Sequence, residues 1–272
     1  MQQRNFNFSY MFQYNDINIY EKGNRAYNTT YKYHLAEFGF SDVWYKNFRF
    51  GLGLRFEYYK YKDFLFKQPE LIDLKVESEH FLSYFAQIHY NTYDKGYFPA
   101  KGSDFKAAYS LYTDNMAQYN EHAPFSALSA SWASVLPITR RFSVIPSIYG
   151  RILIGRNFPY PLQNAIGGEV PGFYIPQQLP FAGVNNIELM DNAIMIASLK
   201  LRQRMGAIHY LILTGNYGLT DSHFFKILKG KQLFGISAGY GMDSVFGPLE
   251  ISLGYSNQTD KASCFVNLGY YF

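Results

Sequence analysis

Cysteine is nearly absent: Cys264 is the single one in 272 residues. One thiol excludes a disulfide framework and a cysteine-based zinc site. The six histidines show no metal-like clustering. No apolar run approaches the ~18 residues that a transmembrane helix requires, and no long stretch repeats with the helical period. Charge is sparse and nearly balanced, 25 Lys and Arg against 21 Asp and Glu. A net charge of +4, scattered along the chain, does not make a nucleic-acid surface. The first residues carry no apolar secretion segment and no small-residue cleavage site; Met1 to Arg4 run straight into an alternating pattern.

What is abundant is aromatic: 26 Tyr and 25 Phe bring the aromatic fraction to 19%. Ordinary globular chains do not reach that level. Girdles of rings at two membrane interfaces would account for it. A mean hydropathy of -0.20 is no objection, because half of each barrel strand faces water.

The alternation is clearest at the end of the chain. Leu249, Ile251, Leu253 and Tyr255 share one face, opposite Glu250, Ser252, Gly254 and Ser256. After a polar link, Cys264, Val266, Leu268, Tyr270 and Phe272 oppose Ser263, Phe265, Asn267, Gly269 and Tyr271. A ring-rich face backed by Gly, Ser and Asn suits lipid outside and a crowded, wet lumen inside. The same period of two recurs over 5–14, 27–40, 48–62, 76–91, 104–113, 125–136, 141–155, 189–204, 209–219, 233–243, 248–256 and 262–272. In 48–62 the outward set is Phe48, Phe50, Leu52, Leu54, Phe56 and Tyr58, and the inward set includes Arg49, Arg55 and Glu57. Arg151, Lys200, Arg202 and Arg204 also read as lumen residues.

Connections alternate in length. Links near 137–140, 205–208 and 244–247 are short, whereas 15–26, 67–75, 114–124, 156–188 and 220–232 are longer and polar. Short periplasmic turns and long outer loops predict this alternation. The exception is 91–103, a long link on the turn side. The fold expected is all-β, a transmembrane antiparallel β-barrel of about twelve strands, spanning 1–272 as one outer-membrane domain. No cofactor or metal is implied.

Four motifs resemble the Omp85 superfamily of D15-like surface antigens, and they come in that family's order. Asp94-Lys95-Gly96-Tyr97-Phe98-Pro99-Ala100-Lys101-Gly102 resembles its aspartate-to-FPxxG turn. Gly167-Gly168-Glu169-Val170-Pro171-Gly172-Phe173-Tyr174 resembles its sixth extracellular loop, which folds back into the lumen. Gly247-Pro248 opening an alternating strand is similar to its penultimate strand. Asn267-Leu268-Gly269-Tyr270-Tyr271-Phe272 is similar to the terminal signal read by the barrel-assembly machinery, which the resemblance implies as a partner. Three strands between turn and loop, and five after the loop, match the family's register. Its usual sixteen strands imply that this chain is the C-terminal part of a larger barrel, with four N-terminal strands and any periplasmic domain outside it.

Within that family the loop, with Gln177-Gln178-Leu179-Pro180-Phe181-Ala182-Gly183, is most similar to barrels that follow a patatin-like phospholipase domain. The resemblance implies an anchor for that hydrolase, suited to passing lipid or polypeptide and compatible with a homodimer. No G-x-S-x-G elbow occurs, so the nucleophile of such a domain is not in this chain. The family's loop carries an Arg that pairs with an Asp on the inner wall; here Pro171 and Asn216 stand at those places. The tuck is then expected to rest on Phe173 packing and backbone hydrogen bonds, with Asn216 of little weight.

Two other readings stand beside this one. Ser78 and His80, two apart near the outer end of one strand, are similar to the Ser–His pair of outer-membrane phospholipase A, a complete twelve-stranded enzyme. No orienting Asn is evident, and an interfacial polar pair explains them as well. The other is a passive porin-like channel.

Overall fold

The computed structural model describes residues 4–45, 47–66, 78–115, 118–119, 123–172 and 174–269. Twelve strands form one antiparallel sheet: β1 (Arg4–Glu21), β2 (Asn24–Tyr45), β3 (Phe48–Phe66), β4 (Glu79–Asn91), β5 (Gly102–Tyr112), β6 (Phe125–Pro137), β7 (Phe142–Ile154), β11 (Ala193–Arg204), β12 (His209–Asp221), β13 (Lys231–Ser244), β14 (Gly247–Ser256) and β15 (Lys261–Leu268). They neighbour one another in chain order, with β7 passing to β11 across a long loop. That loop carries a small sheet of its own, made of β8 (Asn164–Ile166), β9 (Gln178–Leu179) and β10 (Leu189–Asp191).

Alternation decides which way each face points. On β1, Phe6, Phe8, Tyr10, Phe12 and Tyr14 stand 50–76% exposed. On β13, Phe234 and Ile236 are exposed on the outer side while Leu233, Gly235 and Ser237 are buried. Outward rings and aliphatics continue round the sheet, through Leu52, Trp132, Ile148, Leu199 and Leu253. An apolar outside around a polar inside is a stable arrangement only in lipid.

β1 and β15 are the sheet's edges and, among the described residues, are not hydrogen-bonded to each other. The sheet nevertheless curls until they approach at one end, where Lys261 Nζ on β15 donates to Gly23 O (3.1 Å) and Asn24 Oδ1 (3.0 Å) in the β1–β2 turn. That end also carries the β7–β11 loop.

Several boundaries differ from the sequence reading. The link 15–26, expected as an outer loop, is mostly strand: β1 and β2 run on to a turn at Lys22-Gly23. The alternating polar residues there bond across the hairpin, as Asn28 does to Asp16 (2.6 Å). The segment 189–204 divides, because Leu189–Asp191 pairs with β8 in the loop and only Ala193 onward joins the barrel. The link 220–232 shortens and contains a 3-10 helix, Phe224–Lys229. The outer link 67–75 lies outside the described residues.

The largest unexpected feature is aromatic packing inside. Tyr31, Tyr33, Tyr59, Phe81, Tyr112 and Phe125 are each 1–4% exposed and fill the lumen near the loop end. Tyr33 and Tyr59 rings lie 4.7 Å apart, and those of Tyr112 and Phe125 stack at 4.8 Å. Two of the hydroxyls converge on Glu57, which accepts from Tyr33 (2.8 Å) and Tyr112 (3.3 Å).

Candidate functional site: a lumen closed at both ends

The β7–β11 loop does not stand away from the barrel. Leu162, Ala165, Ile166, Phe181, Val184 and Ile187 are at most 2% exposed. Burying one large aliphatic or aromatic side chain stabilises by about 1.5–3 kcal/mol, so these apolar residues fix the loop in the mouth. Phe181 lies in a slot made by small residues: an added Cβ on Gly218 would come within 3.1 Å of its ring, and on Gly235 within 2.6 Å. Gly183 has φ +76°, and a Cβ there would meet the backbone of Tyr255 at 2.3–2.6 Å. Only glycine permits that crossing.

Polar contacts complete the lock. Asn216, 7% exposed on β12, accepts from Ala182 N (3.0 Å) and donates to Tyr149 Oη (3.1 Å). Tyr149 in turn donates to Pro180 O (2.6 Å). Asn216, of which little weight was expected, thus bonds both the loop backbone and Tyr149. A neutral amide can satisfy a backbone N–H and a phenol together without burying a charge. Pro171 is exposed and is not its partner. Glu169, two residues earlier, accepts from Ser237 Oγ (3.2 Å) on β13 and Gly183 N (3.4 Å).

The same loop spans the gap between the sheet edges. Ile187 bridges Ile19 of β1, with Tyr20 N donating to Ile187 O (2.8 Å). Asn185 Nδ2 donates to Cys264 O on β15 (2.6 Å), and Gly23 N donates to Glu188 Oε2 (3.0 Å). Burial raises the carboxyls of Glu188 and Asp191 above the usual range; the Gly23 N–H and Lys261 oppose this at Glu188, and the Thr220 hydroxyl and Asn192 N–H at Asp191.

At the opposite end the β4–β5 link, the long exception on the turn side, folds up into the barrel. Asp94 shapes it by accepting from Ala100 N (2.8 Å) and Lys101 N (3.4 Å). Gly102 has φ +107°, and a Cβ would meet Thr92 O at 2.3 Å. Phe98 is 7% exposed and stacks on Tyr210 of β12, centroids 4.5 Å apart. The Arg202 guanidinium lies over the same ring and donates to Pro99 O. Lys95 Nζ reaches across to Asp243 on β13 (2.9 Å). Burial alone would lower the Lys95 ammonium, but Asp243 and Tyr210 more than offset it and its pKa is raised.

Between the two closures remains a chamber of 980 Å³. Arg49, Arg55, Arg151 and Lys200 face it, as their parity predicts. Arg55 pairs with Glu37 (2.8 Å), and Asp104 accepts from Asn91 (2.8 Å) and pairs with His89 (2.6 Å) and Lys106 (3.5 Å).

The remaining motif residues are dispersed. Gly167 and Gly168 are buried in the loop, while Gly172 is exposed. Gly247 and Pro248 begin β14, Asn267 points inward at 5% exposure, and Gly269 follows β15. Phe173 and Phe272 lie outside the described residues. Ser78 is exposed just before β4; His80 is exposed with the Phe56 ring 6.3 Å away, and no hydrogen bond joins the two among the described residues.

Known proteins agree with this architecture. The crystal structure of BamA from Haemophilus ducreyi lacking POTRA domains 1-3 superposes with TM-score 0.70 at 12% identity, over 98% of this chain and 59% of that one. CdiB from Escherichia coli gives 0.65 at 13% identity, over 98% of this chain and 50% of that one. At such identities the likeness concerns the fold, and this chain spans between half and three-fifths of their lengths. No curated protein matches the sequence. The model of the OMP85 superfamily matches residues 2–272, nearly the whole chain, and the protein is a member of that superfamily.

Proposed function

We propose that this chain is a gated outer-membrane barrel that anchors a larger protein and conducts lipid or polypeptide only when its closures move. The observation that carries the reading is the double closure: the loop fills one mouth and the Phe98 turn enters the other, on either side of a chamber of 980 Å³. An open porin does not need either. A mobile plug held by a few hydrogen bonds and one ring stack suits a conduit that opens on demand.

The parent protein in this proposal is a patatin-like phospholipase, on the strength of the loop sequence Gln177 to Gly183 and the ending Phe265 to Phe272; its nucleophile elbow is not in this chain. The barrel itself then does no chemistry, and Ser78 and His80 are interfacial polar residues. The C-terminal strand is its address for the barrel-assembly machinery. A dye-release assay tests the gated reading. Vesicles carrying the purified barrel should retain an entrapped small dye for as long as protein-free vesicles do. Immediate release would favour the passive channel. Ser78→Ala and His80→Ala should leave lipid hydrolysis by the parent protein unchanged, since loss of either member of a working pair costs orders of magnitude.

A further inference from the structure

The 3-10 helix Phe224–Lys229 sits on the outside of the barrel, not above it. Ile227 is buried against Ile152 and Ala193, with Leu219 and the helix's own Phe224 packed beside them; Ile152, Ala193 and Leu219 are outward positions of β7, β11 and β12. The opposite side of this two-turn helix is bare: Phe225 is 93% exposed and Leu228 80%. Lys226 and Lys229 flank them, both exposed and without an ion pair among the described residues.

Next to it, nearer the middle of the wall, lies a dip in the lipid-facing surface. Gly215 of β12 has no atom within 4 Å of where its Cβ would be. Around it Ala197, Leu199, Tyr217, Phe234 and Ile236 enclose a groove of 520 Å³. Tyr217 and Phe234, rings 5.1 Å apart, form its upper rim. Leu219, under the helix, is one alternation beyond Tyr217, roughly 7 Å along the strand. An aromatic pair of this kind marks the level of lipid headgroups. The helix therefore runs along the headgroup layer, where interfacial amphipathic segments lie with apolar residues down and lysines at the phosphates.

The nearby carboxylates are otherwise engaged. Asp221 accepts from His223 N (2.7 Å), Asp191 from Thr220 Oγ1 (2.6 Å), and Asp260 from Tyr255 Oη (2.5 Å). A free cationic pair beside an apolar groove, continuous with the lipid-facing wall, fits one ligand class. We propose that the groove at Gly215 and the helix Phe224–Lys229 together bind an anionic phospholipid, an acyl chain in the groove and the phosphate at Lys226 and Lys229.

The proposal rests on the barrel standing in a membrane, so its test carries a control for that. The whole chain is reconstituted in phosphatidylcholine vesicles containing trace phosphatidylglycerol, with brominated acyl chains on one lipid or the other. In Trp44→Phe, Trp132, on the lipid-facing wall two strands from Ala197 at the groove's edge, reports insertion and should be quenched by both brominated lipids. In Phe225→Trp, with Trp44 and Trp132 replaced by Phe, brominated phosphatidylglycerol should quench several-fold more than equal brominated phosphatidylcholine. The excess should vanish in Lys226→Gln/Lys229→Gln and in Gly215→Leu, a substitution that has space. Failure of Trp132 quenching would overturn the membrane reading itself. With Trp132 quenched, equal quenching of Phe225→Trp by both lipids would overturn the proposal, as would an excess that survives the glutamines. So would emission from Phe225→Trp that shifts only with protein concentration, which would assign the patch to a second copy.

Discussion

Replacing Asn216 by Ala removes two hydrogen bonds at once, and their burial sets the cost. The Ala182 N–H, on a residue 2% exposed, loses its acceptor at 3.0 Å, and Tyr149 loses a donor at 3.1 Å. An orphaned buried donor costs about 1–3 kcal/mol, while the phenol keeps its own bond to Pro180. The population of undocked loop should rise about 5- to 150-fold. Limited proteolysis of the folded barrel reads this directly, as nicking within 165–183. If Asn216→Ala is nicked no faster than wild type, the amide does not hold the loop and apolar packing alone does.

Phe98→Ala should free the β4–β5 link, because its stacking on Tyr210 and burial are lost at about 3 kcal/mol; nicking between Asp94 and Lys101 would report it while loop protection stays unchanged. The raised carboxyls of Glu188 and Asp191 make loop docking pH-dependent. The docked loop binds more protons than the free loop once pH exceeds the ordinary carboxylate range, so protection is full below that range and declines as pH rises through the raised values. Hydrogen exchange of loop amides from acid to neutral pH should follow that direction; protection that grew with pH would contradict it. In a Cys264→Ser background, Lys229→Cys should be labelled on intact cells and Met205→Cys should not. The reverse would invert the topology.

Much of the fold is visible in the sequence because a barrel repeats one rule. Parity sends Phe50, Leu52 and Leu54 to lipid and Arg49, Arg55 and Glu57 inward, and no tertiary detail is needed to say so. The misjudged places are those where that rule is silent. Polar residues at 15–26 look like a loop, yet strands that extend past the membrane can be polar on both faces, and β1 and β2 simply continue. Tyr31, Tyr33, Tyr59 and Tyr61 share inward parity, but their meaning depended on a loop that packs against them. Asn216 stood at the expected wall position. Its role was missed because the absence of an ion pair was equated with the absence of a lock. Phe98 and Arg202 are over a hundred residues apart, and only the curvature of the sheet brings them to one ring.

The central claim is that the chain closes its own lumen at both ends. Single-channel recording in planar bilayers tests it with four proteins: wild type, Asn216→Ala, Phe98→Ala and the double variant. Two closures in series predict that wild type and each single variant stay near the baseline, with brief openings at most, and that the double variant conducts steadily. Steady large conductance from the wild type would contradict the account, and so would a double variant as silent as its parent while nicked at both closures.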